Sequence, residues 1–427
     1  MPPLLYADDM VLLATSAAGL QRQLDLLQHY CSGNGLTVNT VKTKLMLLSG
    51  QRRQGAAQQA AEAARLSFRG QMLEVVTSFK YLGITFHSTQ QLAGAAVAAR
   101  TAAARGALHM CNARCAELGI EAAPLRLRLF STMVDSVLSY GAEVWGPQLA
   151  AAAVAGSGST GCAAQRLHQG FLRQQLGVSQ STPAAVVLAE AGERPLWLRW
   201  LMRSTRLLGR CQAAAEGGLL RRALSATCEL AAAGYQQCWA AQVAAGLAAV
   251  GLPLDLQQPC PPARAALRDA CWARQQDLLM AAAHREGASR LQHYVFGTCG
   301  GDLSNLGSTQ QYLCAVRERR RRQALAQLRT GSHWGAEETG RWKRVPCEQR
   351  VCPHCAMNAT ETVSHMTFDC PRFASVRARF SDLFADLPSP PTLHSFFHQP
   401  GCHIRLARFA AGLHQAWQEA TVPPPAA

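Results

Sequence analysis

The sequence predicts an α+β protein, with a short mixed segment at the start and a long helical region after it. In residues 1–90, short apolar runs alternate with turn residues, a pattern typical of strands and hairpins. From residue 91 to about residue 330, Ala- and Leu-rich segments repeat at helical spacing. A Cys- and His-containing stretch follows, which predicts a small metal-binding module.

The first predicted element is a hairpin with acidic residues at its tip. Leu4–Tyr6 and Met10–Ala14 are short apolar runs, and Ala7-Asp8-Asp9 lies between them. A helix is predicted next, because Ser16 is a suitable N-cap and Asn34-Gly35 a suitable stop. Its apolar face would carry Leu20, Leu24, Leu27 and Cys31.

The rest of the mixed segment predicts further strands. Leu36–Val38 and Leu45–Leu48 are predicted strands, and residues 51–64 are a polar, Ala-rich excursion. Val75-Val76 and Phe79–Phe86 predict a second hairpin. In the helical region, four tryptophans are expected to pack in a core rather than to stack on bases, namely Trp145, Trp197, Trp200 and Trp239.

Composition narrows the classes of function. The 427 residues carry a formal net charge of +15, which favours an acidic partner such as nucleic acid or an anionic surface. A coding bias toward Ala, Arg, Gly and Pro is the alternative explanation of that charge. No apolar run is long enough for a bilayer and no secretory signal is present, so we expect an intracellular protein without a membrane partner. In a reducing compartment, close pairs among the 16 cysteines favour metal binding over disulfides.

Asp8 and Asp9 form the first motif with chemical meaning. Two adjacent carboxylates between apolar strands repel each other unless a cation neutralises them. Polynucleotide phosphoryl transfer uses this arrangement, in which carboxylates hold two divalent ions at the reacting oxygens. Taken alone, however, the motif is most simply interpreted as an ordinary Asp-Asp turn.

The second motif is a set of Cys and His residues with the spacing Cys-x2-Cys-x9-His-x4-Cys, formed by Cys352, Cys355, His365 and Cys370. The Cys-x2-Cys pair forms a tight knuckle suited to zinc, and the later His and Cys complete four ligands. Four protein ligands leave no open coordination position, so the spacing predicts a structural zinc. Cys347 and His354 are nearby in sequence and could replace one of these ligands.

The third motif is a run of arginines interrupted by one glutamate, consisting of Arg317, Arg319, Arg320, Arg321 and Arg322. Such a run could bind the phosphates of RNA or DNA, or act as a nuclear import signal. A solvated basic helix face is the alternative, because apolar residues flank the run at helical spacing.

Several motifs, taken in order, resemble one family. Tyr6-Ala7-Asp8-Asp9 with its apolar flanks resembles the catalytic palm hairpin of reverse transcriptases. Residues 35–44 resemble the next palm motif of non-LTR (LINE-type) retrotransposon polymerases, and residues 78–84 resemble the primer-grip hairpin. Residues 138–146 and 171–178 resemble the downstream helical part of such open reading frames, and residues 328–342 resemble the zinc-binding region that ends many of them.

The resemblance implies RNA-directed DNA synthesis with magnesium, and RNA and DNA as partners. Asp8 would be the metal-binding acid and Asp9 an auxiliary one, with Tyr6 and Ala7 beside the primer terminus. Lys42 or Lys44 would help to neutralise the leaving phosphates, unless both are solvated lysines at strand ends. The primer backbone would be positioned by Phe79, Lys80, Tyr81, Leu82 and Gly83.

A domain order follows from the resemblance. It comprises a partial palm at residues 1–90, thumb-like helices at 91–150, a linker at 151–160, a helical connector at 161–330, a CCHC zinc-binding module at 331–385 and a tail at 386–427. In reverse transcriptases, the fingers and a further metal-binding aspartate lie upstream of the Tyr-Ala-Asp-Asp hairpin. We therefore expect an N-terminally truncated polymerase that binds nucleic acid but does not copy it alone.

Two alternatives stay open. The chain could be half of a functional polymerase that is completed in trans, or by an upstream extension, with the missing fingers and palm strand. It could also be a domesticated, zinc-containing nucleic-acid-binding or interaction protein. The resemblance favours a nuclear over a cytoplasmic location.

Overall fold

The computed structural model describes residues 3–48, 54–88, 92–154, 162–287 and 289–421. The chain divides into two compact units, Met1–Ala99 and Arg100–Ala427. Within the described residues, the strands are short and paired two by two, and most of the remaining chain is helical. This confirms the predicted α+β class.

The strands lie in the first unit. They are β1 Leu4–Tyr6, β2 Asp9–Val11, β3 Lys44–Leu45, β4 Ser67–Phe68, β5 Gln71–Met72, β6 Glu74–Val75, β7 Ser78–Tyr81 and β8 Ile84–His87. β1 pairs with β2, β4 with β5 and β7 with β8, all antiparallel, whereas β3 and β6 pair in parallel. The first predicted hairpin is therefore confirmed as β1–β2. Of the second, Phe79–Phe86 forms β7–β8 as predicted, whereas Val75 lies in β6 and pairs with β3 instead.

The strand predicted at Leu36–Val38 is wrong, and the one predicted at Leu45–Leu48 shortens to β3. Leu36 and Leu48 are mainly exposed, so these apolar residues have no buried face of a sheet to occupy. The intervening loop closes on Asn39, whose side chain accepts a hydrogen bond from the backbone N–H of Lys42. Local hydrogen bonds of this kind, from backbone to an Asn side chain, offer the backbone an alternative to a strand ladder.

Two helices complete the first unit, α1 Ala17–Gly33 and α2 Gln54–Ala63. The backbone N–H of Gly19 donates to Ser16 Oγ over 3.2 Å, so the predicted N-cap is confirmed. Leu24 of α1 is buried against Leu45 and Phe68, and Leu12 and Val75 pack at the edge of the same cluster. One core thus anchors the chain beside both hairpins.

The second unit is built from helices. Helix α3, Leu92–Glu117, begins in the first unit and ends in the second. The helices after it are α4 Ala123–Leu129, α5 Asp135–Leu138, α6 Ala142–Val154, α7 Ala163–Leu176, α8 Ala184–Ala191, α9 Leu196–Ala213, α10 Leu219–Ala232, α11 Trp239–Ala248, α12 Arg264–Ala283, α13 Ser289–Gln292, α14 Gln311–Ala315, α15 Arg319–Arg329, α16 Ala336–Trp342, α17 Ala374–Arg379, α18 Leu393–Phe397 and α19 His403–Thr421. Single π-helical turns occur at Phe130–Val134, His293–Thr298 and His365–Asp369.

Helix α9 contributes several side chains to a buried cluster of this unit. Its Leu201 packs with Val243 and Leu247 of α11, and the rings of Trp145 and Trp200 meet edge-to-face at 4.9 Å. Trp145, Trp197 and Trp200 are buried, as predicted for core residues. Trp239 is partly buried and donates its indole N–H to the carbonyl of Glu143 at 2.9 Å.

The structure differs from the sequence prediction in the linker and in the tail. The predicted linker 151–160 begins inside α6, which ends at Val154, and the rest of it lies outside the described residues. The predicted tail is not a tail over α18 and α19, because Phe396, Phe409 and Leu413 are buried in the second unit. None of the helices among the described residues has the length and apolar character needed to cross a membrane.

Candidate metal centres and nucleic-acid surfaces

The β1–β2 hairpin displays Asp8 and Asp9 at its tip. Tyr6 of β1 stands opposite Asp9 of β2, so Ala7 and Asp8 form a two-residue turn. Ala7 adopts φ 53°, a left-handed conformation that costs an L-residue about 1 kcal/mol. Asp8 and Asp9 are exposed and form no ion pair with any described residue. Two adjacent carboxylates therefore face solvent on a short, tightly turned hairpin.

These two carboxylates have the chemistry of divalent-cation ligands. Their oxygens are the ligand type that Mg²⁺ prefers in proteins. Across the described parts of the chain, no third Asp, Glu, His or Cys joins Asp8 and Asp9 in a group able to hold a metal. The hairpin offers the predicted acids, but not a complete set of ligands.

The two candidate lysines lie in different surroundings. Lys44 of β3 stands opposite Glu74 of β6, and its ammonium forms an ion pair with that carboxylate. Lys42 is exposed at the turn closed by Asn39. Lys42 is thus better placed than Lys44 to meet a phosphate, because the charge of Lys44 is already compensated.

The β7–β8 hairpin contains the residues predicted to contact a primer. Lys80 stands opposite Thr85 and Tyr81 opposite Ile84, so Leu82 and Gly83 form the turn. Both turn residues have positive φ, 45° and 78°, as a two-residue type I′ hairpin requires. Phe79 and Lys80 are exposed on β7. The hairpin therefore presents an aromatic ring and a cation to solvent on one strand.

The arginine run is divided by the start of α15. Arg317, Arg319 and Arg320 are exposed, whereas Arg321 pairs with Glu318 at 2.8 Å. Arg319, Arg320, Glu318, Gln323 and Glu121 line a shallow cavity of about 420 Å³. The exposed arginines are thus the members of the run that are accessible to an anion.

Arg322 does not belong to this surface, and its prediction as a nucleic-acid contact requires correction. Its side chain is 1% exposed and donates to the carbonyls of Val316 and Glu121 at 2.9 and 2.7 Å. A guanidinium enclosed by backbone carbonyls cannot reach a phosphate in solvent. Arg322 instead ties the start of α15 to the loop before α4.

Cys352, Cys355, His365 and Cys370 form the metal-binding group predicted from their spacing. All four ligand atoms lie within 4.8 Å of one another. Cys352 Sγ is 3.9 Å from Cys370 Sγ, and Cys355 Sγ is 3.4 Å from His365 Nε2. Tetrahedral zinc with bonds of about 2.3 Å to sulfur and about 2.0 Å to nitrogen needs a sulfur–sulfur separation of roughly 3.8 Å and a sulfur–nitrogen separation of roughly 3.5 Å. The donor set and its dimensions fit a structural zinc.

Backbone hydrogen bonds hold this group in place. The N–H of Cys352 donates to Ala359 O at 2.8 Å, beside a bridge between Val351 and Thr360. The N–H of Cys370 donates to His365 O at 2.8 Å across the π-helical turn. The first two ligands therefore lie on a small hairpin and the last two on one turn of helix.

Burial changes the protonation of the thiols in this group. Burial raises the pKa of the Cys352 thiol to about 12, and it also raises the pKa of Cys370. Without a metal, these buried thiols stay protonated at neutral pH. A divalent cation reverses this preference, because it stabilises the thiolate directly.

Glu361 is a residue of this region to which sequence analysis gave no role. Its carboxylate is fully buried and accepts hydrogen bonds from Trp417 Nε1 at 3.0 Å and from the N–H of Ala336. Cys352 Sγ lies 3.9 Å from the same carboxylate. Glu361 therefore joins α16 and α19 to the metal-binding group, a role that no local sequence pattern signals.

The two alternative ligands are not part of the group. His354 packs edge-to-face against Trp417 and Phe373, with ring centroids 6.0 and 6.3 Å away. Cys347 is exposed. Within the described chain, the four residues first predicted from spacing are the ones that assemble.

Comparison with known proteins supports a reverse transcriptase segment. Residues 3–86 match the family described as reverse transcriptase (RNA-dependent DNA polymerase). The matched region includes the Tyr-Ala-Asp-Asp hairpin and most of the β7–β8 hairpin. Searches of curated proteins and of solved structures gave no match.

Proposed function

We propose that this chain is part of a non-LTR retrotransposon RNA-directed DNA polymerase, and that by itself it binds nucleic acid without copying it. The reverse transcriptase match over residues 3–86, with Asp8 and Asp9 at the tip of its first hairpin, carries the proposal. Lys42, Phe79 and Lys80 are exposed within the same segment, where a primer–template end would be bound.

The absence of copying follows from the incomplete set of carboxylates. Magnesium held by Asp8 and Asp9 would supply charge stabilisation for phosphoryl transfer. Polymerase chemistry depends on holding both reactants against correctly spaced metal ions. Since no third ligand joins Asp8 and Asp9 among the described residues, this chain alone lacks the geometry that the reaction requires.

Nucleic-acid binding by the second unit is supported by charge at the start of α15. Arg317, Arg319 and Arg320 are exposed at the N-terminal end of this helix. Cations are unfavourable there, because the helix dipole already places positive charge at that end. A bound phosphate would relieve this repulsion. The zinc module, held by Cys352, Cys355, His365 and Cys370, would fix the fold that follows this surface.

A second candidate function is that of a polymerase half completed by another polypeptide. The β1–β2 sheet has two strands, and Leu5, Tyr6 and Met10 are exposed on it. Unpaired strand edges beside exposed apolar residues are sites at which a further strand can add. A partner carrying fingers and a further aspartate strand would add to this sheet and supply another metal ligand.

Primer extension separates the two candidates. The purified, zinc-loaded chain and its Asp8→Ala variant are assayed with Mg²⁺ on a homopolymeric RNA template, with filter binding of the same RNA in parallel. We expect RNA binding by both proteins and nucleotide incorporation by neither. Asp8-dependent incorporation by the chain alone would contradict the proposal. Incorporation that needs an added polypeptide with fingers, and is lost in Asp8→Ala, would support the second candidate.

A further inference from the structure

Helix α9 presents a row of four arginines, Arg199, Arg203, Arg206 and Arg210. Their spacings of four, three and four residues place them on one face of the helix. The opposite face buries Trp197, Trp200, Leu201 and Leu208 in the core of the second unit. The row is therefore held rigidly by a helix whose other side cannot move without unpacking the core.

The arginine row lines an open groove of about 450 Å³. Glu143 is the acidic residue that borders it, and Met202 and Leu207 are its apolar residues. From the first arginine to the last, the row extends about 16 Å along the helix, at 1.5 Å per residue. The groove is thus longer than a small anion and has few apolar contacts to offer.

The four arginines differ in how far they are already paired. Arg199 forms ion pairs with Asp135 and Glu193, and Arg203 donates to the carbonyl of Ser139 at 3.3 Å. Arg206 and Arg210 are exposed and have no ion-pair partner among the residues that the structure describes. The paired end anchors the row, and the free end leaves the groove with excess positive charge.

We propose that this groove binds the phosphate backbone of a single-stranded polynucleotide, as a second nucleic-acid surface separate from the arginines of α15. The inference rests on the proposed function, which makes RNA and DNA the expected polyanions of this chain. Guanidinium groups pair in bidentate fashion with phosphates, and a straight row of them suits a repeating chain of phosphates. Among the described residues that line the groove, none is aromatic, so contacts are to the backbone and binding is independent of sequence.

An acidic peptide is the competing occupant. Peptide recognition generally combines charge with pockets that hold individual side chains. Met202 and Leu207, both partly buried, provide little of such a pocket. The observations therefore favour a strand of nucleic acid, and polyglutamate serves in the test as the probe for the peptide alternative.

The test uses the full, zinc-loaded chain and fluorescence anisotropy with labelled oligo(U) over a range of KCl concentrations. The test variant is Arg206→Gln/Arg210→Gln. Its matched control, Arg222→Gln/Arg285→Gln, removes two exposed arginines that do not line the groove. A third variant, Arg319→Gln/Arg320→Gln, reports on the α15 surface. Unfolding by urea checks that all variants are folded.

We expect Arg206→Gln/Arg210→Gln to weaken oligo(U) binding by more than about tenfold and to reduce the slope of log K against log salt by about 1.4, or about 0.7 for each lost phosphate contact. The control pair should stay within about twofold of the wild type.

Equal effects of test and control pairs, with Arg319→Gln/Arg320→Gln still weakening binding, would overturn the inference alone. Absence of oligo(U) binding by the wild type would contradict the proposed function as well. Binding of polyglutamate in preference to oligo(U), lost in the α9 variant, would assign the groove to a peptide and also overturn the inference.

Discussion

Arg329 and Glu190 form a buried ion pair that joins α15 to α8, with Arg329 Nε 2.6 Å from Glu190 Oε1. Their side chains are 4% and 0% exposed. The second carboxylate oxygen of Glu190 accepts a hydrogen bond from Tyr294 Oη at 2.9 Å. Burial opposes the charge of Arg329, but the adjacent Glu190 carboxylate outweighs burial and raises the pKa of the guanidinium. The guanidinium of Arg329 thus stays charged although it is buried, and it depends on its contact with Glu190.

Removing one partner of this pair should be strongly destabilising. Glu190→Gln keeps the shape of the side chain but leaves the Arg329 charge buried without compensation, at a cost of about 3–5 kcal/mol in the free energy of unfolding. Arg114→Gln is the control, since Arg114 and Glu117 form an exposed pair worth about 0–1 kcal/mol. Urea unfolding followed by circular dichroism measures both. Similar losses in the two variants would show that the buried pair has no special importance.

Gly192 ends α8 two residues after Glu190, and its replacement should be more costly than that of other left-handed glycines. Its φ is 69°, and a Cβ added there would lie 2.4 Å from the backbone N of Thr309. Backbone cannot move aside as a flexible side chain can. Gly119 also has a positive φ, 61°, but a Cβ there would meet open space. Gly119→Ala should therefore cost about 1 kcal/mol, the conformational penalty alone.

We expect Gly192→Ala to lower the free energy of unfolding clearly more than Gly119→Ala does, because it adds a steric clash to the same conformational penalty. Thermal and urea unfolding of the two variants provide the measurement. If the two glycines proved equally replaceable, the close approach of residues 192 and 309 would be refuted.

His168 should make the stability of the second unit depend on pH. It is 1% exposed, its ring stacks on Phe130 at 5.3 Å, and its Nε2 lies 3.0 Å from Arg199 Nη2. Burial and, secondly, the charge of Arg199 hold the pKa of His168 well below its usual 6.5. Below pH 6.5, the unfolded chain therefore binds a proton that the folded chain does not. By linkage, the free energy of unfolding falls as the pH falls.

The variant His168→Gln has no titratable group at this position, so its free energy of unfolding should depend less on pH. Between neutral pH and one unit below 6.5, the free energy of unfolding of the wild type should fall by up to about 1.4 kcal/mol more than that of the variant. Replacement of the exposed His109 by Gln is the control and should leave the dependence as it is in the wild type. A variant that loses as much stability between neutral and acidic pH as the wild type would disprove the role of His168.

The sequence predicts those features of this fold that depend on neighbouring residues. The two hairpins follow from apolar runs separated by turn residues, and the start of α1 follows from Ser16. The metal-binding group was likewise predictable, because its four ligands lie within 19 residues and their spacing alone determines the knuckle.

Features that depend on residues far apart in the sequence could not be predicted in this way. Arg322 looks like one more exposed arginine of a basic run, yet one of its acceptors is the carbonyl of Glu121, 201 positions earlier. Glu190 and Arg329 are 139 positions apart, and nothing in either local sequence indicates the other. The sequence predicts a tail where α19 lies. That prediction fails because the apolar residues of α19 are buried by earlier helices, which the local sequence does not reveal.

Zinc content offers the most direct test of the candidate metal centre. Cys352→Ser and Cys370→Ser each remove one of the four ligands, so we expect the purified variants to lose the single zinc ion that the wild type should hold per chain. Cys347→Ser is the matched control, since Cys347 is exposed and outside the group. Elemental analysis gives the stoichiometry. Because the thiols are buried and favour the protonated state without a metal, chelation should also loosen the packing of Trp417 on Glu361, seen as a change in tryptophan fluorescence. Full zinc content in Cys370→Ser, or its loss in Cys347→Ser, would place the metal on a different set of ligands.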